Sequence, residues 1–201
     1  VPRDIVHRTH EVNTLTAALD PVTDGQQGET SLLYGPSGSG KTCIARYVTE
    51  QLRETVLDIN IQYVNCWEDY SRFKTLYRIL EGVNKALDIH RQSTPTDELL
   101  DRLHDYDGPP YVVVLDEADQ LADTDVLYDI HRARNIEMVL IANREEELFA
   151  QLDERLNSRL HTSVRVPFKP YSEESLVAIL QDRVRWGLHE NIITTAQLKR
   201  I

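Results

Sequence analysis

The sequence predicts an α/β protein of three layers, α/β/α, in which a five-stranded, mainly parallel sheet lies between two layers of helices. Three observations carry that expectation. Short apolar runs alternate with longer amphipathic stretches along the chain. A glycine-rich turn joins the first run to the helix after it, and later runs end on acidic or amide side chains, as strands do at the ligand-binding edge of an open sheet.

The strands expected, in order, are Ser31–Tyr34, Asn60–Asn65, Tyr111–Leu115, Glu137–Ala142 and Ser163–Val166. Phe73, Leu76, Leu80, Val83 and Leu87 recur at helical spacing and predict a helix over Ser71–Leu87. Asp88–Pro110 contains Pro95, Asp107, Gly108 and the pair Pro109–Pro110. It reads as a surface excursion with a short helix around Asp97–His104, serving either as an ordinary connection or as an element for a partner or DNA. Helices follow at Thr124–Arg134 and at Glu145–Leu160, the latter with Phe149, Leu152, Leu156 and Leu160 on its apolar face. A composition shift at Pro167–Pro170 marks a domain boundary. The helix starting near Ser172 beyond it has Leu176, Ile179, Leu180 and Val184 on its apolar face, and another helix is expected after Thr194. Residues 1–170 thus form the main domain, and 171–201 the truncated beginning of a second, helical one.

A chain of 201 residues is long enough for one sizeable core, or for one core plus the beginning of a second domain. The net charge of −11 excludes a generally basic surface, so any contact with DNA must be local. Lysine occurs only at 41, 74, 85, 169 and 199, a lysine-poor, acid-rich pattern that suits either a high-salt cytoplasm or an arginine-favouring genome. No apolar stretch approaches the roughly 20 residues of a membrane helix, and Val1–Asp20 lacks the pattern of a signal peptide. A cytoplasmic protein without membrane contact is expected. Cys43 and Cys66 lie apart in apolar segments and read as reduced core thiols. His7 and His10 are the closest histidines, with no second cluster to complete a zinc site.

Gly35-Pro36-Ser37-Gly38-Ser39-Gly40-Lys41-Thr42 follows an expected strand and opens a helix through Ile44, Val48 and Leu52, which is the context a phosphate-binding loop requires. Its glycines let the backbone curl until successive N–H groups converge on phosphate oxygens, at the positive end of a helix dipole. Lys41 is the group to reach the β and γ phosphates of a nucleotide, and the Thr42 hydroxyl a magnesium ligand.

The run Tyr111–Leu115 delivers Asp116 and Glu117 to a strand end. Asp116 is suited to hold the metal, and Glu117 to orient and deprotonate an attacking water. The next run ends at Asn143, a neutral amide able to hydrogen-bond both the γ-phosphate and that water without competing for the metal. Arg155 and Arg159, four residues apart on a helix, are suited to neutralise phosphoryl charge in a neighbouring subunit, whereas Arg144 reads as structural.

Phosphate loop, acidic pair, strand-terminal asparagine and arginine, in this order, resemble the AAA+ ATPases, a branch of the P-loop NTPases. Within them the chain resembles the archaeal replication initiators related to the origin recognition complex and the cell-division-control helicase loaders. The strings "IVHRTHEV", "LLYGPSGSGKT", "YVNC", "VVVLDEAD", "VLYDIHRARNIEMVLIAN" and "LDERLNSRLHTSVRVPFKPYSEESLVAIL" carry the likeness over nearly the whole chain. The resemblance implies that Ile5, Val6 and Arg8 lie near the adenine, that Asn143 is the first sensor, that Arg159 is the arginine finger acting in trans, and that a helical lid begins near Tyr171. It implies ATP/ADP and Mg2+ as cofactors, and slow, assembly-dependent hydrolysis that switches a replication initiator. Its partners would be neighbouring AAA+ subunits and, for the full-length protein, origin DNA and the replicative helicase. The lid's own arginine and a DNA-gripping winged-helix domain would fall beyond Ile201. The segment where initiators carry a DNA-contacting insertion, Leu87–Pro110, is short and has little positive charge, which weakens DNA binding by these residues alone. A clamp-loader-like ATPase, a transposition helper, or a nucleotide-holding interaction module with negligible turnover are the competing expectations. "VLDEAD" also matches DEAD-box RNA helicases, whose Ser-Ala-Thr signature and second motor domain are missing here.

Overall fold

The strands β1 (Ser31–Tyr34), β2 (Asn60–Asn65), β3 (Tyr111–Asp116), β4 (Ile136–Ala142) and β5 (Val164–Pro167) form one sheet in the order β2-β3-β4-β1-β5, parallel at every junction. The computed structural model describes residues 7–187. β3 and β4 are near-continuous apolar runs because both of their faces are covered. One face packs on α1 (Thr9–Leu19) and α2 (Lys41–Thr55), through Leu15, Leu19, Ile44, Val48 and Leu52 against Leu33, Val112, Val114, Val139 and Ile141. The other packs on α3 (Arg72–Glu81), α4 (Thr96–His104), α5 (Asp125–Arg132), α6 (Glu145–Ala150) and α7 (Glu154–Leu160). After β5, α8 (Glu173–Gly187) begins. No described helix is long and apolar enough to cross a membrane.

All five expected strands are present, with ends moved by at most about a residue. The helices differ more. The helix expected over Ser71–Leu87 stops at Glu81. At Gly82 a Cβ would lie 2.5 Å from the Tyr111 hydroxyl and 2.7 Å from Oε1 of Gln62, and Asn84 turns the chain through a left-handed φ of 58°. Leu87 therefore leaves the apolar face and is exposed, while Leu76 and Leu80 stay buried. The segment read as a surface excursion does run largely over the surface and carries the short helix expected, α4, but it also contributes Ile89, Leu99, Leu103 and Tyr106 to the core. Arg102 braces the segment internally through Asp88 and Glu98 and bonds back to the Lys85 carbonyl at 3.0 Å.

The single helix expected over Glu145–Leu160 is two. Asp153 accepts a hydrogen bond from the Leu156 N–H at 2.8 Å and so caps a new helix, α7. Leu156 and Leu160 remain buried, with Phe149 and Leu152 packed beside them. In α8, Ile179, Leu180 and Val184 of the expected apolar face are half-buried, but Leu176 is exposed and Val177 is buried in its place. The helix expected after Thr194 lies outside the described residues.

Candidate nucleotide-binding site

Inserting β4 between β1 and β3 brings three strand ends side by side. Tyr34 pairs with Ala142, and Leu115 with Leu140, so the phosphate loop, Asn143 and the Asp116–Glu117 pair leave the same edge of the sheet. The loop takes its path because its glycines allow it. Gly38 and Gly40 adopt φ values of 76° and 97°, and at Gly35 a Cβ would sit 2.1 Å from the Phe168 carbonyl oxygen. No side chain caps the start of α2 at Gly40, which leaves its first N–H groups for a ligand.

Lys41 is almost fully buried. Its ammonium donates to the carbonyls of Gly35 at 2.6 Å and Pro36 at 3.0 Å and to Oδ1 of Asn143 at 3.3 Å. Burial lowers its pKa, and the charges of Asp116, Asp119 and Glu117 oppose that shift. The Thr42 hydroxyl donates to Oδ2 of Asp116 at 2.8 Å. Glu117 follows with φ 57° and ψ 46°, a left-handed conformation that is costly for a residue with a side chain, placed where β3 turns into a short 3-10 segment, Ala118–Gln120. Ser37, Gly38, Lys41, Thr42, Asp116, Glu117 and Asn143 all border one cleft of about 300 Å³.

These residues fit a magnesium-bound polyphosphate. Gly38 has open space where a Cβ would be, and a buried cation stands beside the loop. A hydroxyl and a carboxylate, both hard oxygen donors of the kind magnesium takes, meet at the cleft.

Arg159 is not among this group. It borders a second cavity of about 260 Å³ with Thr30, Ile136 and Ser163, residues at or just before the starts of β1, β4 and β5, and so lies toward the opposite edge of the sheet. Its guanidinium and that of Arg155 lie 5.0 Å and 5.3 Å from the ring centroid of Tyr128. Arg144 is exposed and paired with Glu147 at 2.8 Å. Ile5 and Val6 lie outside the described residues. Arg8 is buried, with its guanidinium on the Ser39 and Lys169 carbonyls and on Glu11.

Some features escaped sequence reasoning. Asp119 is buried with one carboxylate oxygen unpartnered, and its charge acts on Lys41. The last letter of "LDEAD" was its only signal. Tyr171, whose hydroxyl abuts Gly40, had none beyond its place after Pro170. Cys66 is a core thiol whose pKa burial pushes up, but Cys43, expected to match it, is only half-buried and borders the nucleotide cleft, since it faces the loop from the first turn of α2.

The profile of the AAA ATPase domain family matches residues 4–191. The chain belongs to that family. This AAA ATPase domain is 57% identical, over all of its 201 residues, to ORC1-type DNA replication protein 1 of Halobacterium salinarum, covering 65% of that protein. ORC1-type DNA replication protein 9 of the same organism is 52% identical over the same residues, which cover 57% of it. Among solved structures, the Aeropyrum pernix ORC1 protein in complex with DNA matches with a TM-score of 0.82 at 28% identity, over 96% of this chain and 53% of that one. The AAA ATPase domain therefore spans about half to two thirds of the length of these relatives.

Proposed function

We propose that this chain binds and hydrolyses Mg-ATP as the AAA+ domain of an initiator of DNA replication, and that it acts as a slow nucleotide switch completed by a neighbouring subunit. One observation carries the reading: Lys41, Thr42, Asp116, Glu117 and Asn143 converge on one cleft, while Arg159 lies toward the other edge of the sheet. A group so placed is useful to phosphoryl chemistry only in another subunit's cleft, so hydrolysis depends on assembly.

The loop N–H groups and Lys41 bind and orient the phosphates. Thr42 and Asp116 would hold magnesium, which when bound neutralises charge on the phosphate oxygens. Glu117 takes the proton of the attacking water, and Asn143, already within reach of Lys41, orients that water beside the γ-phosphate. Arg159 of one subunit neutralises the charge that develops in its neighbour's cleft.

The names of the Halobacterium relatives support replication initiation as the setting. Because the Aeropyrum protein was solved on DNA, origin DNA is the partner proposed for the longer protein, with the replicative helicase as a further one on the initiator likeness alone. Residues 1–170 would be the nucleotide-binding unit and residues from 171 the start of the lid, a division supported by the run Pro167–Pro170 ahead of α8.

Mixing two variants tests the reading. Arg159→Ala should bind ATP but turn it over slowly, and Lys41→Ala should not bind it. Combined, they should recover part of the wild-type rate, since Lys41→Ala supplies its arginine to its neighbour. Normal turnover by Arg159→Ala at concentrations where the wild type assembles would falsify the trans assignment.

A further inference from the structure

Arg8 stands where three parts of the chain meet. Its guanidinium donates to the Ser39 carbonyl in the phosphate loop at 3.0 Å and to the Lys169 carbonyl beyond β5 at 2.5 Å, and pairs with Glu11 of α1 at 2.6 Å. Two rings flank it, with centroids 4.2 Å away for Tyr171 and 5.2 Å for Phe168. Burial lowers its pKa, but the Tyr171 and Glu11 interactions outweigh this and the cation is retained.

The same two aromatic residues press on the loop. The Tyr171 hydroxyl would lie 2.6 Å from a Cβ at Gly40, and the Phe168 carbonyl oxygen 2.1 Å from one at Gly35. Each end of the loop's glycine framework is therefore in contact with the segment 168–171, and Arg8 bonds to both sides of that contact. Immediately after Tyr171, the Ser172 side chain accepts from the Ser175 N–H at 3.2 Å and so caps the start of α8. A shift of the loop at Gly40 thus meets α8 through Tyr171 and the capping Ser172.

We propose that Arg8 is a positioning residue, not a ligand, and that with Tyr171 it locks the phosphate loop to the base of α8, so that filling the nucleotide cleft is felt as ordering of that helix. This rests on the reading that the cleft takes ATP. Coupling of this kind is reciprocal, so weakening the lock lowers nucleotide affinity by the same factor by which it uncouples α8.

The test combines ADP titration in the presence of magnesium with hydrogen exchange of residues 173–187, on the full chain. Magnesium-ADP should slow exchange across α8 in the wild type. Arg8→Lys keeps the charge but loses the planar fork, and Tyr171→Leu loses the ring. Each should bind ADP about tenfold more weakly and lose the ADP-dependent slowing. Tyr171→Phe, which keeps the ring over Arg8 but loses the hydroxyl that reaches Gly40, should fall between the wild type and Tyr171→Leu in both. A merely structural role would speed exchange equally with and without ADP, leaving the difference intact, and that result overturns the proposal. Wild-type α8 indifferent to bound ADP overturns it as well. Unchanged ADP binding by Lys41→Ala would instead show that the cleft had been misread. Should Arg8→Lys fail to fold, the Tyr171 pair decides alone.

Discussion

The Thr42 hydroxyl donates to Oδ2 of Asp116 across 2.8 Å, which ties the first turn of α2 to the end of β3 between groups 74 positions apart. Two hard oxygen donors so joined would, on the proposed reading, form one side of a magnesium site. Asp116→Asn keeps a hydrogen-bond acceptor but removes the charge the metal needs. It should weaken magnesium-dependent ATP binding by about tenfold or more while leaving binding in chelator little changed. Paired titrations with magnesium and with chelator measure this, and equal losses in both would place Asp116 outside the metal's reach.

Glu117 holds a left-handed backbone, φ 57° and ψ 46°, that L residues adopt at a cost on the order of 1 kcal/mol. At such a position glycine is relieved and alanine is not. Glu117→Gly should therefore exceed Glu117→Ala in stability by about 1 kcal/mol, read from urea midpoints. Glu117→Gln should keep ATP binding and lose turnover by about 100-fold, as expected when a general base is removed. Equal midpoints for the glycine and alanine variants would remove the strain argument without touching the catalytic one.

How much of this was legible in the sequence depended on the range of the interaction. The strands could be read because β3 and β4 are apolar throughout, and Lys41, Thr42, Asp116 and Asn143 because fixed local patterns carry them. Helix ends were harder. α3 stops because Gly82 must pass under the Tyr111 hydroxyl and Gln62, and no periodicity within Ser71–Leu87 records contacts with β2 and β3. The cap at Asp153 divides α6 from α7, but the apolar spacing of Phe149, Leu152, Leu156 and Leu160 runs through it without a break and reads as one continuous helix. The contacts of Arg8 with Ser39 and Lys169 span 31 and 161 positions, beyond any local pattern.

Glu137, the second residue of β4, is almost fully buried, with Oε1 unpartnered and its carboxylate supported by the Gly28 N–H. Burial pushes its pKa up from 4.5 to about 7, the Gly28 bond opposing. Between those values the folded chain keeps a proton that the unfolded chain has released. This carboxyl should therefore make stability fall as pH rises from about 4.5 to 7, by on the order of 3 kcal/mol, with no further change above. Glu137 and His131 both border the cavity that Arg159 lines, and burial, with Arg159, lowers the His131 pKa below 6.5, which adds a slope of opposite sign in acid. Glu137→Gln removes only the first effect. Urea midpoints of wild type and variant should hence diverge as pH rises from about 5 to about 8, with the variant the more stable at the upper end; parallel curves would mean that the carboxyl is ionised throughout.

Tyr128 gathers three cations. The guanidinium carbons of Arg159, Arg155 and Arg132 lie 5.0, 5.3 and 5.5 Å from its ring centroid. An arginine that must reach a neighbour's phosphates loses less freedom on assembly when a ring already holds it, and each such contact contributes about 0.5–1 kcal/mol at an exposed site. Tyr128→Leu should lower turnover of the assembled protein about two- to fivefold with ATP affinity unchanged, because the ring does not border the protein's own cleft. Tyr128→Phe keeps the π face and should stay within about twofold. Measuring both at concentrations where the wild type assembles, beside Arg159→Ala, separates platform from finger. If Arg159→Ala is slow and Tyr128→Leu is not, the arginine finds its place without the ring.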